Sequence, residues 1–208
     1  MIFLHTLYIR RINLPVRGIL KNRVIYFLIK MKAVYVMLAV FCSLISGCEG
    51  SRVETVSGFK QYHNPAWRIR LEAPLEWETA EDVTGSVVVF YSPVEAEGDV
   101  IQDNVNLIIE DLSETPLTLF QYSRENISQI REYLADCRIL EEGESMLSGY
   151  KSGTLVFTGT QEHMDLKWYQ EWTVVNDRAY LLTYTAEAGK YDKYYMEAMQ
   201  IIRSLKIQ

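Results

Sequence analysis

Between residues 138 and 186 the chain offers four strand-length runs, at about 138–146, 150–158, 166–175 and 178–186. The breaks between them are Ser148-Gly149, the 159–165 loop and Asn176-Asp177, the last a two-residue hairpin signal. Parallel neighbours need a crossover of about a dozen residues or more. These four runs must therefore pair antiparallel. Alternation sends Trp168, Gln170, Trp172 and Val174 to one face of the third run and Tyr169 to the other. In the fourth run Tyr180, Leu182, Tyr184 and Ala186 share a face. An exposed aromatic face here would mark a partner site; the favoured reading is that both faces are covered.

Upstream, Phe59–His63 and Trp67–Leu71 are two short strands separated by the turn signal Asn64-Pro65. Ala73-Pro74-Leu75-Glu76-Trp77 reads as a loop. Ser86–Tyr91 is a β-branched and aromatic strand entered through Gly85 and closed by Ser92-Pro93. Asn104–Glu110 alternates Val105, Leu107 and Ile109 against polar residues, the period of a half-buried strand. Thr115-Pro116 then opens a helix. Its inner stripe reads Ile127, Ile130, Leu134 and Cys137, and its outer face Arg124, Glu125, Arg131, Glu132 and Asp136. A second helix runs from about Lys190 to Leu205, with Tyr191, Tyr194, Ala198, Ile201 and Leu205 on its apolar stripe. The order ββββαββββα predicts an α+β domain in which two helices cover a mostly antiparallel sheet.

The N-terminal part follows different rules. Residues 1–47 contain seven Lys/Arg and no acid, leaving 14 basic and 27 acidic residues in the remainder. A body that acidic is unsuited to nucleic acid, whose phosphates are bound by Lys and Arg. Met31-Lys32 is a basic start, and Ala33 to Gly47 is a fifteen-residue run without charge. A basic start, an apolar stretch and small residues before a cut describe a secretory signal at 31–47. Residues 1–30 then read as an upstream extension or a long basic leader. Ile45-Ser46-Gly47-Cys48 resembles the lipobox of prokaryotic lipoproteins, which implies a diacylglyceryl thioether on Cys48 and cleavage just before it. Two or more acyl chains give stable anchoring at about 0.8 kcal/mol per buried CH₂. Residues 48–58 become the lipidated cysteine and a tether, and 59–208 the domain. The expected location is a cell membrane or outer membrane, facing the periplasm or exterior. Cys42 leaves with the signal, so Cys137 remains as an unpaired core residue.

Chemistry-bearing constellations are few. There is no Gly-x-Ser-x-Gly elbow, Cys/His arrangement, P-loop or Gly-x-Gly-x-x-Gly, so the chain reads as a non-enzyme without a cofactor. The acidic stretch 95–103 offers Glu95, Glu97, Asp99 and Asp103 as oxygen ligands for calcium, without EF-hand spacing. Glu162, His163 and Asp165 are a conceivable metal group that reads better as a solvated hairpin tip, and His63 sits in a turn. A weaker alternative is an envelope hydrolase joining His63 or His163 to two carboxylates.

Three stretches together carry a family resemblance. Trp67-Arg68-Ile69-Arg70-Leu71 runs on to Ala73-Pro74-Leu75-Glu76-Trp77; Val88-Val89-Phe90-Tyr91-Ser92-Pro93 is followed by Asn104-Val105-Asn106-Leu107; and Gly149-Tyr150-Lys151-Ser152 precedes the Tyr180–Tyr184 strand and a Tyr-rich last helix. In this order they resemble the PsbP-like group, which includes DcrB-type lipoproteins and the Ran-binding Mog protein. The resemblance spans residues 59–205. It implies an α-β-α sandwich around an antiparallel sheet, with Pro74, Trp77, Phe90 and Pro93 as fold determinants and no catalytic residue to carry over. It further implies an accessory, protein-binding role, since photosynthetic members are extrinsic photosystem subunits and the Mog member binds a GTPase. The expected protein is a membrane-tethered lipoprotein with a protein partner, and the alternative is a calcium-binding module.

Overall fold

The structure, a computed structural model, describes residues 58–94 and 101–208 in full and the backbone of 52–56. The described strands are β1 Arg52–Val56, β2 Phe59–Asn64, β3 Ile69–Pro74, β4 Glu78–Val83, β5 Ser86–Tyr91 and β6 Asn104–Asp111. They continue with β7 Ala135–Leu147, β8 Tyr150–Gln161, β9 Met164–Val175, β10 Arg178–Glu187 and β11 Lys206–Ile207. The helices are α1 Leu119–Tyr133 and α2 Tyr195–Arg203. The expected signal segment at 31–47, Cys48, Glu95, Glu97 and Asp99 lie outside the described residues.

Two-residue turns fix the antiparallel order. Thr84-Gly85, Ser148-Gly149, Glu162-His163 and Asn176-Asp177 each place both residues at positive φ. That backbone matches the right-handed twist of the flanking strands. β8 and β9 extend to Gln161 and Met164, which shrinks the expected 159–165 loop to its two central residues.

Pairing builds two sheets where the sequence suggests one. A seven-stranded sheet has the order β4-β5-β6-β10-β9-β8-β7, and a four-stranded sheet the order β1-β2-β3-β11. Every pairing described is antiparallel. Residues 52–56, expected within the tether, run along β2 from Arg52 opposite His63 to Val56 opposite Phe59. Ala73 and Pro74, expected in a loop, finish β3. β4, with the sequence Glu-Thr-Ala-Glu-Asp-Val, carries no apolar alternation and is held by its hairpin to β5.

The central strands of the large sheet are buried on both faces. On one, α1 packs on β7, β8 and β9, and Ile127, Ile130 and Leu134 meet Leu155, Phe157, Trp168, Trp172 and Leu181. On the other, α2 and the small sheet enclose Ile69, Leu71, Trp77, Phe90, Leu107, Tyr184, Ile201 and Leu205. The arrangement is thus α+β with one helix on each side of the large sheet, and the second sheet completes one side. Trp168, Trp172, Tyr169, Tyr180 and Tyr184 are all buried, so the aromatic strands belong to the two cores.

Local signals explain the helix limits. Thr118 and Gln121 form a capping box, with Gln121 N donating to Thr118 Oγ1 and Thr118 N to Gln121 Oε1. The helix therefore starts at Leu119, four residues after Thr115. Its last turn ends at Leu134 in an extended conformation, and the chain enters β7 at Ala135. Cys137, expected on the helical stripe, consequently lies in β7 and touches the α1 core from the strand. Burial pushes its thiol pKa up, with Arg131 opposing.

Polar contacts fix the rotation of α1. Tyr122 Oη donates to Glu110 Oε1 at 2.9 Å, Trp172 Nε1 to Ser123 Oγ at 2.8 Å, and Asn126 Nδ2 to Gln170 Oε1 at 3.1 Å. A helix rotated by one residue forfeits all three.

Candidate functional site: a buried tyrosine–carboxylate cluster

Asp103, a residue the acidic stretch nominates for calcium, leads into β6 and is buried. Its carboxylate accepts a hydrogen bond from Tyr184 Oη at 2.7 Å. The same hydroxyl lies 2.8 Å from the backbone carbonyl of Tyr191. A hydroxyl has one hydrogen, so it donates to one acceptor at a time. Around this point Tyr184, Tyr191 and Tyr195 pack with ring centroids 5.1–6.5 Å apart, and Lys167 Nζ sits 3.9 Å above the Tyr191 ring.

A second carboxylate extends the cluster across the sheet. Tyr169 is the cross-strand partner of Tyr184 and packs edge-on against Tyr195 at 6.4 Å. Its hydroxyl donates to Glu171 Oε2 at 2.9 Å, and Ser152 Oγ donates to Glu171 Oε1 at 2.7 Å. Glu171 is only 2% exposed, so these donors replace the water it loses. Burial, then the neighbouring carboxylates, push the phenol pKa values of Tyr169 and Tyr184 far above 10; burial does the same for Tyr191. Phenols held neutral in this way are hydrogen-bond donors, and they are poor bases.

Tyr184 and Tyr191 predict mutational effects of opposite sign. Tyr184→Phe takes a donor from a buried carboxylate and is expected to cost about 1–3 kcal/mol. Tyr191 Oη is buried with no hydrogen-bond partner among the described residues. Tyr191→Phe is therefore expected to leave stability unchanged or raise it. Thermal melts at neutral pH check both, and equal losses would contradict the assignment.

The remaining sequence candidates separate. Glu162 and His163 occupy an exposed hairpin tip with φ of 50° and 69°. His63 lies in β2, opposite Arg70. Among the described residues no three His, Cys, Asp or Glu side chains converge as a metal group. An open groove along α2 is lined by Glu72, Met196, Glu197, Arg203 and Ser204. The Ser204 hydroxyl there is tied to the Ile201 carbonyl at 2.6 Å and accepts from Glu72 N at 2.8 Å. Trp77, expected as a fold determinant, stacks edge-on against Tyr194 and donates from Nε1 to Glu197 at 2.6 Å, joining the β3–β4 turn to α2.

Sequence reading missed Tyr184, Tyr191 and Glu171 as partners of this cluster. Asp103 and Tyr184 are 81 positions apart, and neither has a spacing that links them.

The architecture is that of an α+β protein of PsbP-like fold, with one helix on each face of a large antiparallel sheet. The solution structure of cyanobacterial PsbP (CyanoP) from Synechocystis sp. PCC 6803 matches with a TM-score of 0.52, covering 79% of this chain and 99% of that one at 13% identity. LpqN, involved in cell envelope biogenesis of Mycobacterium tuberculosis, matches with a TM-score of 0.53 over 67% of this chain and 83% of that one, also at 13% identity. No family model matches the sequence, and no curated protein is detectably similar to it. At these identities the likeness is one of fold. Among the described residues no helix is long and apolar enough to cross a membrane.

Proposed function

We propose that this protein is an exported, lipid-anchored accessory subunit that binds a protein partner without catalysing a reaction. One observation carries the binding role. The buried carboxylates Asp103 and Glu171 are committed to internal hydrogen bonds, while large apolar side chains stand outside the two cores. Phe120, Leu140, Met146 and Met196 are each more than half exposed. Such groups gain most by burial against a second surface. The fold shared with LpqN, a protein of envelope biogenesis, supports a place in the envelope. The anchor rests on Ile45-Ser46-Gly47-Cys48 and the apolar run before it.

Cys48→Ser tests the anchor. The unsubstituted chain is expected in the membrane fraction and in the detergent phase on partitioning, and the variant in the aqueous phase. Retention of the variant at the membrane would overturn the lipid assignment. Crosslinking in intact cells tests the subunit role: a defined adduct with an envelope protein is expected, and its absence counts against that role.

A further inference from the structure

The seven-stranded sheet ends in β7, which pairs only with β8 among the described residues. Its thirteen residues leave a row of backbone N–H and C=O groups facing outward. Natural edges of this length are usually blunted by bulges or charge. β7 is irregular in its first half, with register shifts between Ala135 and Arg138 and between Ile139 and Glu141. From Glu141 opposite Val156 to Leu147 opposite Tyr150 the register runs unbroken. This regular stretch spans seven residues, about 23 Å at 3.3 Å per residue. The opposite edge, β4, differs. It is shorter, Asp82 breaks its register at positive φ, and Glu81 takes a hydrogen bond from Tyr62.

Register sorts the β7 side chains. Glu142 pairs with Leu155, which belongs to the α1 core, so Glu142, Glu144 and Met146 share the α1 side of the sheet. Glu141, Gly143 and Ser145 share the other side. All six are exposed, Met146 to 60%. Neither Glu142 nor Glu144 forms an ion pair among the described residues. A second copy pairing here about Gly143 places Glu142 against Glu144, and like charges directly opposite each other are destabilising. The edge therefore favours a strand of opposite charge.

We propose that β7 between Glu141 and Leu147 docks a cationic extended segment of a protein partner, which joins the sheet as an antiparallel strand. This deepens the accessory-subunit reading and rests on it, by naming the chemistry of the partner. Main-chain hydrogen bonds supply affinity in this mode, and alternate side chains supply specificity. Antiparallel pairing puts an apolar residue opposite Met146, then Lys or Arg opposite Glu144 and Glu142. The recognised pattern is apolar-x-basic-x-basic, read from the N-terminus of the incoming segment. On the other side, Gly143 and Ser145 leave room for the intervening residues.

The test uses a fluorescent peptide of about ten residues with Ile-Thr-Lys-Thr-Lys at its centre, titrated into the purified full chain at low salt and followed by anisotropy. Saturable binding in the micromolar range is expected. The doubly substituted Glu142→Lys, Glu144→Lys protein is expected to bind about tenfold more weakly. These positions are exposed, and circular dichroism checks that the fold is kept. N-methylation of the peptide backbone needs no protein variant: at alternate positions it abolishes binding, and at the intervening ones it does not. Binding indifferent to the position of methylation, equal binding of a peptide with Glu in place of Lys, or no saturation at millimolar peptide each overturns the proposal. So does a β7-mediated dimer in sedimentation. None of these outcomes touches the Cys48 anchor or an adduct formed in cells, so this inference fails separately from the reading beneath it.

Discussion

Above pH 10 the protein is expected to unfold over a narrow span of pH, with tyrosinate absorbance rising in the same step. Tyr62, Tyr122, Tyr169, Tyr184 and Tyr191 are each at most 9% exposed. Burial is the leading reason that the pKa of every one is pushed above its ordinary 10.0. Neighbouring carboxylates add to it: Glu81 beside Tyr62, Glu110 beside Tyr122, Glu171 beside Tyr169 and Asp103 beside Tyr184. A raised folded-state pKa means that above pH 10 the folded chain holds protons the unfolded chain has released. The stability these groups contribute is thus complete below pH 10 and falls as pH rises beyond it. Each group removes about 1.4 kcal/mol per pH unit once its unfolded form is ionised. Total stabilities are about 5–15 kcal/mol, so five such groups exhaust them within roughly one to two units. Following circular dichroism and tyrosinate absorbance together against pH checks this. Complete tyrosinate absorbance with the sheet signal intact would contradict it.

Gly153→Val is expected to cost about 3 kcal/mol, the upper range for overpacking a dense core. A Cβ at this position meets the Trp172 indole at 2.7–2.8 Å. Trp172 has nowhere to retreat. It is 1% exposed, Gly153 is its cross-strand neighbour, and its Nε1 is tied to Ser123 on α1. The substitution therefore either displaces α1 or forces an unfavourable indole rotamer. In a domain of this size the expected fall in melting temperature is roughly 6–12 °C. Gly189, where an added Cβ meets nothing within 4 Å, provides the control and is expected to tolerate Ala with little change. A melting temperature for Gly153→Val within a degree or two of the unsubstituted protein would mean that α1 does not clamp the indole.

Sequence information reaches different depths in different parts of the chain. The hairpins from β7 to β10 were readable because their connections are short and the strands alternate, although the loop expected at 159–165 is only the turn Glu162-His163. The faces of Trp168, Trp172, Tyr180 and Tyr184 followed from the same alternation. The apolar stripe of the last helix held even though Tyr191 and Tyr194 precede α2. Both still face the core, because the turn before the helix continues its direction of packing. Cys137 failed the same extrapolation, since nothing in a periodic stripe marks where Leu134 leaves the helix.

For the candidate site, only Asp103 was nominated in advance, and for a different chemistry. Its neighbours Tyr184 and Tyr191 come from the far end of the chain, and Glu171 reaches the cluster through Tyr169 and Tyr195. No spacing rule connects such residues.

By itself the sequence determined the antiparallel pairing from β7 to β10, the presence of two amphipathic helices and the acidity of the body, because these depend on residues close together along the chain. Only the tertiary structure decided the division into two sheets, the burial of Asp103 and Glu171 against tyrosine hydroxyls, and the place of β7 at the edge of the sheet among the described residues. Those depend on which surfaces meet after distant segments pack, and burial turns an ordinary carboxylate or phenol into a group whose partner and protonation state matter.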